Sequence, residues 1–500
     1  MRNLTATYKI SIVVALVFVL WGAFFPNQLE RIMNDAQAFF LHAFGWFYNL
    51  TASFFLIFAL ALIFSRYGKI KLGKDTDKPE FSRPTWFAML FSAGMGIGLL
   101  FYGVSEPISH FAAPPMGEGG TQDAALLSLR YTYLHWGFHA WAIYAVVALS
   151  LAFFKFRKDA PGLMSATLRP VFGNHVRGPL GYTVDIFAVF ATLFGVCASL
   201  GLGAQQINAG LNYLMDIPVS FTIQLIIIGV ITVLFIISAS TGIKKGIRYL
   251  SNTNMVLAVL LLMIMVIVGP TLFLLNLFTH TLGEYVQYLP QMGLRLSPFN
   301  EERAAWTQGW TIFYWAWWIS WSPFVGMFIA RVSRGRTVRE FTIAVLIVPT
   351  LVCAFWFAMF GGTGIYLDLI EGFDVSSKSL ETALFFVYEQ LPGGGLLSIV
   401  TVLLITTFFI TSADSATFVL GMQTTDGQIE PPTFIKISWG IILAASAVVL
   451  MATGGLNALQ TAIIVSAFPL TIILLIMSVG MLRAFRLEVE PKRKKTKHKH

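Results

Sequence analysis

Residues 306–336 read WTQGWTIFYWAWWISWSPFVGMFIARVSRGR. The stretch holds six tryptophans, Trp306, Trp310, Trp315, Trp317, Trp318 and Trp321, with Phe313, Tyr314, Phe324 and Phe328 among them. It runs into four arginines, Arg331, Arg334, Arg336 and Arg339. About 20 apolar residues suffice for a helix to cross a bilayer. Membrane helices ordinarily keep Trp at the two interfaces, yet here Trp and Phe run through the middle. Each ring taken singly reads equally as packing between helices. The column as a whole points to a site that holds a cation against aromatic faces.

The rest of the chain agrees with a membrane location. It has 500 residues, of which 56% are hydrophobic and 12% charged, and its mean hydropathy is +0.72. No soluble fold could cover so much apolar surface. The expected class is an all-α polytopic membrane protein folding as one bundle. Apolar segments fall at 10–25, 45–65, 84–104, 126–154, 180–212, 221–240, 251–275, 305–331, 341–363, 396–421, 434–452 and 457–482, about twelve spans by the length rule. Residues 10–25 lack a following cleavage site and read as a first span. The two cysteines, Cys197 and Cys353, sit in apolar runs and read as small core residues.

Loop charges test the span count. Loops 66–83, 155–177, 241–250 and 331–339 and the tail 483–500 are basic, while 105–125 (Glu106, Glu118, Asp123) and 364–395 are acidic. The alternation places both termini in the cytoplasm. The net charge of +9 belongs to these loops and implies no nucleic-acid partner. An amphipathic segment at 277–298 reads either as a helix on the outer surface, linking two halves, or as an ordinary loop.

Four spans carry polar or glycine-rich chemistry. In SAGMGIGLLFYGVSEP (92–107), Gly94, Gly96 and Gly98 alternate. Glycine costs a helix about 1 kcal/mol per residue, so the run marks either close helix packing or an unwound stretch at mid-membrane. Discontinuous helices of the second kind bind ions and substrates in transporters. In HWGFHAWAIYAVVAL (135–149), Trp141 and Tyr144 share a helix face and Trp136 lies well round from them, which suits the walls of a box. His135 and His139 are one turn apart, but with no Cys, Asp or Glu near them in sequence no metal is expected. The fifth span offers Thr192, Ser199, Gln205 and Gln206. The tenth, TTFFITSADSATF (406–418), sets Thr411, Ser412 and Asp414 deep in an apolar run. Such groups are costly in a membrane and mark function. Hydroxyl oxygens suit a hard ion such as Na⁺, while bonds back to the helix carbonyls are the plain alternative. Asp414 admits three roles: ion ligand, proton carrier or partner of a loop arginine. HExxH, GxSxG, a Walker loop and a cysteine cluster are all missing from the sequence, which argues against an ATP-driven pump and most enzymes.

Together WAWWISWSPFVGMFIARVSRGR (315–336), AGMGIGLLFYGVSEP (93–107), HWGFHAWAIYAVVAL (135–149), TGIKKGIRYLSNTNM (241–255) and TSADSATF (411–418) resemble the betaine/choline/carnitine transporter family. The resemblance covers about 84–482. It implies a five-plus-five inverted-repeat, LeuT-like core preceded by two extra helices. The divisions would be 1–83 (extra helices and basic loop), 84–276 (first repeat), 277–302 (surface linker), 303–482 (second repeat) and 483–500 (basic cytoplasmic tail). It also implies a homotrimer in the cell inner membrane.

By the same resemblance, Trp136, Trp141, Tyr144 and Trp318 form a box for a trimethylammonium group, beside Gly94, Met95, Gly96 and Gly98. Trp317 and Trp321 would border the path, with Phe313 and Phe324 as gates, and Trp306 and Trp310 as interface anchors. A sodium site would use carbonyls of Ser92, Met95 and Phe408 and the hydroxyls of Thr411 and Ser412. For a second sodium ion the family's paired threonines fall on Thr192 and Val196. Valine offers no ligand, so that ion is absent or held by another donor such as Ser199. Sodium-independent relatives carry arginine where this chain has Met255. Gly98 stands where choline carriers tend to have Asp, favouring a zwitterion.

The function implied is Na⁺-coupled symport of glycine betaine or a related zwitterionic compatible solute, in osmoprotection. Carnitine, choline or ectoine transport, coupled to H⁺ or by exchange, is the alternative, and a non-transporting quaternary-amine sensor a remote one. The tail 491–500, PKRKKTKHKH, suits contact with anionic lipid.

Overall fold

The computed structural model describes residues 4–94, 96–241 and 244–490. The elements in order are α1 Ala6–Phe24, α2 Pro26–Phe64, α3 Arg83–Gly94, α4 Ile97–Ala112, α5 Gln122–Trp136, α6 Phe138–Ala152, α7 Met164–Thr167, α8 Arg169–Phe172 and α9 Pro179–Met215. They continue with α10 Phe221–Thr241, α11 Lys244–Val268, α12 Thr271–Gly293, α13 Glu301–Thr307, α14 Phe313–Val332, α15 Val338–Leu369, α16 Ala383–Glu389, α17 Gly394–Gln423 and α18 Thr433–Val489. Hydroxyl and amide caps start several of them. Thr5, Thr121, Asn300 and Thr337 each accept a backbone N–H of the first turn at α1, α5, α13 and α15, meeting a donor the helix cannot satisfy itself.

Among the described residues, nine helical runs are long and apolar enough to cross a membrane. All the expected apolar segments fall on helix. Two lie outside the nine for physical reasons. Segment 84–104 is divided into α3 and α4, and α14 is diluted on a hydropathy scale by its Trp, Tyr and Ser. Segments 434–452 and 457–482 run together as α18, bent at Gly454 and Gly455. Gly455 has φ 57° and ψ −133°, a conformation that a side chain disfavours.

The bundle closes around α9 and α14. Helix α9 lies against α17 and α18, and α14 lies against α6, α9 and α18. Helix α4 packs on α5 and α15. The amphipathic helix occupies Thr271–Gly293 rather than 277–298, starting at Pro270. It buries Leu277, Thr281 and Tyr285 along one stripe, facing α5 and α15.

The arginines after α14 do more than mark one side of the membrane. Arg336 is only 4% exposed. Its guanidinium donates to Glu340 and to the Phe81 carbonyl and lies 4.5 Å from the Trp86 ring. Arg334 donates to Asp77 at 3.0 Å. Backbone bonds join the two loops: Leu72 N–H to Arg336 O, Gly335 N–H to Leu72 O and Val338 N–H to Ile70 O, each 2.8 Å. The basic loop 66–83 is therefore clamped to the α14–α15 turn.

Candidate functional site

A cavity of about 530 Å³ runs between these helices. At one end it is lined by Gly96, Gly98, Trp136, Trp141, Tyr144, Trp317 and Trp318, and toward the other by Trp321, Phe324, Lys155, Arg331 and Asp414. It thus reaches from mid-bundle toward the end that carries the basic loops.

The expected single span 126–154 is broken in the structure. Helix α5 ends at Trp136, Gly137 takes φ −101° and ψ −136°, and α6 begins at Phe138. A break frees carbonyls that a continuous helix would consume. The His135 carbonyl accepts the Trp318 indole N–H at 2.7 Å. The Trp136 carbonyl accepts the Trp141 indole N–H at 3.1 Å. Helix α12 braces the break: Phe138 N–H donates to the Tyr285 hydroxyl at 2.9 Å. A Cβ on Gly137 would lie 2.5 Å from that oxygen.

The rings meet as walls rather than as a stripe. Trp136 and Trp318 stand 5.0 Å apart at 77°, Tyr144 and Trp318 5.7 Å apart at 86°, and Trp141 and Tyr144 5.5 Å apart at 80°. Trp317 stacks on Trp318 at 5.5 Å and 14°. At Gly98, a Cβ would lie 2.8 Å from Trp317 and 3.2 Å from Trp136, so the indoles rest against bare backbone. Trp321 donates to the Gly195 carbonyl at 2.8 Å and meets Phe324 edge-on at 5.3 Å. Phe313 is buried and stacked on Trp317 at 5.6 Å, one turn from the cavity lining.

Helix α3 ends at Gly94 and α4 starts after an extended Gly96; Met95 lies outside the described residues. Ser92, Phe408, Thr411, Ser412 and Ser199 line the same cavity. The Thr411 hydroxyl donates back to the carbonyls of Thr407 and Phe408 at 3.0 and 3.2 Å and accepts from Asn254 at 3.4 Å. Asn254 is buried, and among the described residues its Oδ1 has no hydrogen-bond partner. The sequence reading passed over it, although it lies in the quoted 241–255 motif. A buried amide oxygen on the residue bonded to Thr411, in a cavity also lined by Ser92, Ser199 and Ser412, offers hard-oxygen donors of the kind Na⁺ takes. Thr192 is not in that lining. Its hydroxyl donates to Ala188 O at 2.8 Å and accepts from Gln423 at 3.3 Å. Asp414 is buried and lines the cavity.

One residue read as a loop charge belongs to the core. Glu106 lies inside α4 and is fully buried. Its carboxylate gathers Trp136 Nε1–H at 2.7 Å, the Tyr314 hydroxyl, His135 Nδ1 at 2.7 Å and His110 Nε2 at 3.2 Å. His135 therefore does have a carboxylate neighbour, brought from 29 residues away by the packing of α4 on α5. Trp306 and Trp310, expected as interface anchors, are half-buried, with their rings 4.8 and 4.6 Å from His110. The only sequence sign of a buried carboxyl here is that the motif 92–107 runs on through Glu106, beyond the apolar run that set the loop boundary.

The profile of the betaine/carnitine/choline family of transporters (BCCT) matches residues 6–490. The chain is 53% identical to the glycine betaine transporter OpuD of Bacillus subtilis, over 98% of this chain and 96% of that one. It is 43% identical to an ectoine/hydroxyectoine transporter of Virgibacillus pantothenticus, over 95% of each chain. A glycine betaine/proline/choline transporter of Vibrio parahaemolyticus is 40% identical over 95% of this chain and 89% of its own.

Proposed function

Because the chain belongs to the betaine/carnitine/choline transporter family, a multi-pass membrane transporter rather than an enzyme, we propose that it is a Na⁺-coupled symporter of glycine betaine. The observation that carries this reading is the set of perpendicular indole and phenol walls at the end of the cavity. A quaternary ammonium has no N–H to donate, so aromatic faces are its natural partner. Each face contributes about 0.5–2 kcal/mol, more as water is excluded.

The other end of the substrate also has a place. The first turn of α4, at Ile97 and Gly98, borders the same cavity. Its amides lack partners within the helix and carry the positive end of the helix dipole, which suits a carboxylate. Betaine thus takes its charge-separated form across the cavity, ammonium in the box and carboxylate at the helix start. The 53% identity to a glycine betaine transporter favours this solute. Ectoine is the second reading, on the relative at 43%, since a delocalised cation also suits the box.

Ser92, Phe408, Thr411 and Ser412, with Asn254 beside them, would hold the sodium ion. The ion would supply the driving force of its gradient. Trp321 and Phe324 line the cavity between the box and the basic end and would act as the inner gate. The working architecture is the five-plus-five repeat, as a homotrimer with both termini in the cytoplasm; the lipid-binding tail 491–500 lies outside the described residues.

The test is uptake of labelled glycine betaine into proteoliposomes with an inward Na⁺ gradient, then with Na⁺ replaced by K⁺. Uptake should collapse in K⁺. Undiminished uptake would remove sodium coupling from the reading, and no betaine uptake in either medium would remove the substrate.

A further inference from the structure

We propose that Glu106 is the specificity-determining residue of the aromatic box: its buried carboxylate, bonded to the back of the Trp136 indole, makes the box select a permanent positive charge over a neutral group of the same shape. This rests on the reading of the box as a quaternary-ammonium site.

The geometry supports an ionised Glu106. Trp136 Nε1–H can only donate, and it reaches Oε2 at 2.7 Å. The Tyr314 hydroxyl meets the same oxygen. His135 Nδ1 and His110 Nε2 meet Oε1 at 2.7 and 3.2 Å. His135 Nε2 lies 2.9 Å from the Thr311 hydroxyl, which can donate to it and leave Nδ1–H for the carboxylate. Four potential donors around two oxygens is the pattern a carboxylate accepts and a carboxylic acid does not need. Among the described residues, no lysine or arginine pairs with Glu106, and each of its two histidine partners can give an N–H from a neutral ring. Donors of that kind solvate the charge without cancelling it.

The charge is then one hydrogen bond from a box wall. An anion bonded to an indole N–H polarises the ring toward its π face, and hydrogen-bonded groups in a low-dielectric interior polarise one another. A richer face binds a cation more strongly. The carboxylate's own field also persists through the apolar core. Neither effect draws in an uncharged tert-butyl group, and the carboxylate of betaine and of its carbon analogue feels the field alike.

The same cluster also holds the walls in place. Tyr314 stacks near Trp318 at 6.1 Å and 24°, and the His135 carbonyl takes the Trp318 N–H. The experiment must therefore separate charge from scaffolding. The probes are glycine betaine and tert-butylacetate, in which carbon replaces the quaternary nitrogen. Both are measured by binding to the purified full-length transporter, wild type and Glu106→Gln. The variant should bind betaine about tenfold more weakly or worse, with tert-butylacetate within about twofold of wild type or tighter, since a like charge has been removed from beside an anion. Equal losses for both ligands, or no loss for betaine, would overturn the proposal. If Glu106→Gln does not fold, Tyr314→Phe decides. It removes one competing donor from Oε2, so the preference for betaine over tert-butylacetate should hold or rise; a fall overturns the proposal. Wild-type protein that binds no betaine would sink the proposed function itself, an outcome distinct from either failure of Glu106.

Discussion

Trp318 is held at two points, its indole N–H by the His135 carbonyl and its ring between Trp136, Tyr144 and Trp317. Trp318→Leu removes one aromatic face of the box. Betaine affinity should fall about tenfold or more, read by titration of the purified protein; near-normal affinity would take Trp318 out of the box. Six tryptophans in one stretch announced an aromatic site, but spacing alone could not choose among them. Trp315 shows why. It looks equivalent in sequence, yet it is fully buried and bonded to Asn49 at 2.9 Å, with His139 stacked on it at 5.1 Å. Its partner comes from α2, and nothing local could signal that.

At the scale of the element, two breaks make the site. Alternating glycines flagged the weak place between α3 and α4. The break at Gly137 was not legible, because one glycine in an apolar run is common and the signal that stabilises it sits on α12. Tyr285→Phe tests that brace. It keeps the ring stacking with Phe138, 5.7 Å at 20°, but leaves the Phe138 amide without its acceptor. An unmade bond to a buried group costs about 1–3 kcal/mol, so the melting temperature in detergent should drop. Betaine affinity should fall with it, since the break presents the His135 and Trp136 carbonyls to the box. A variant with unchanged affinity would detach α12 from the site.

Across the whole molecule, the loops at the basic end form a clamp. Asp77 is held below the ordinary aspartate value, first by the Arg334 hydrogen bond and then by the Lys74 backbone N–H. Asp75 is held low in the same way, first by Arg157. A depressed carboxyl favours the folded state above its unfolded pKa, and the gain is lost as pH falls through its folded value. Asp77→Asn should therefore lower the melting temperature slightly at pH 7. The gap from wild type should close as pH is taken below about 3.9; a gap that persists in acid would mean the aspartate acts through shape instead of charge. Alternating loop charge had given a topology, but could not show that Arg336 is buried against Trp86 rather than solvated.

Local composition determined the class, the helical segments, the aromatic chemistry and the hydroxyl cluster of α17, because hydropathy and residue type are properties of neighbours along the chain. Tertiary structure alone decided which rings became walls, where α5 gives way to α6, and that Glu106 is a buried carboxyl behind Trp136. Each of those depends on partners distant in sequence, and a hydrogen bond between α4 and α5 or a carbonyl offered to α14 leaves no periodic trace in either segment.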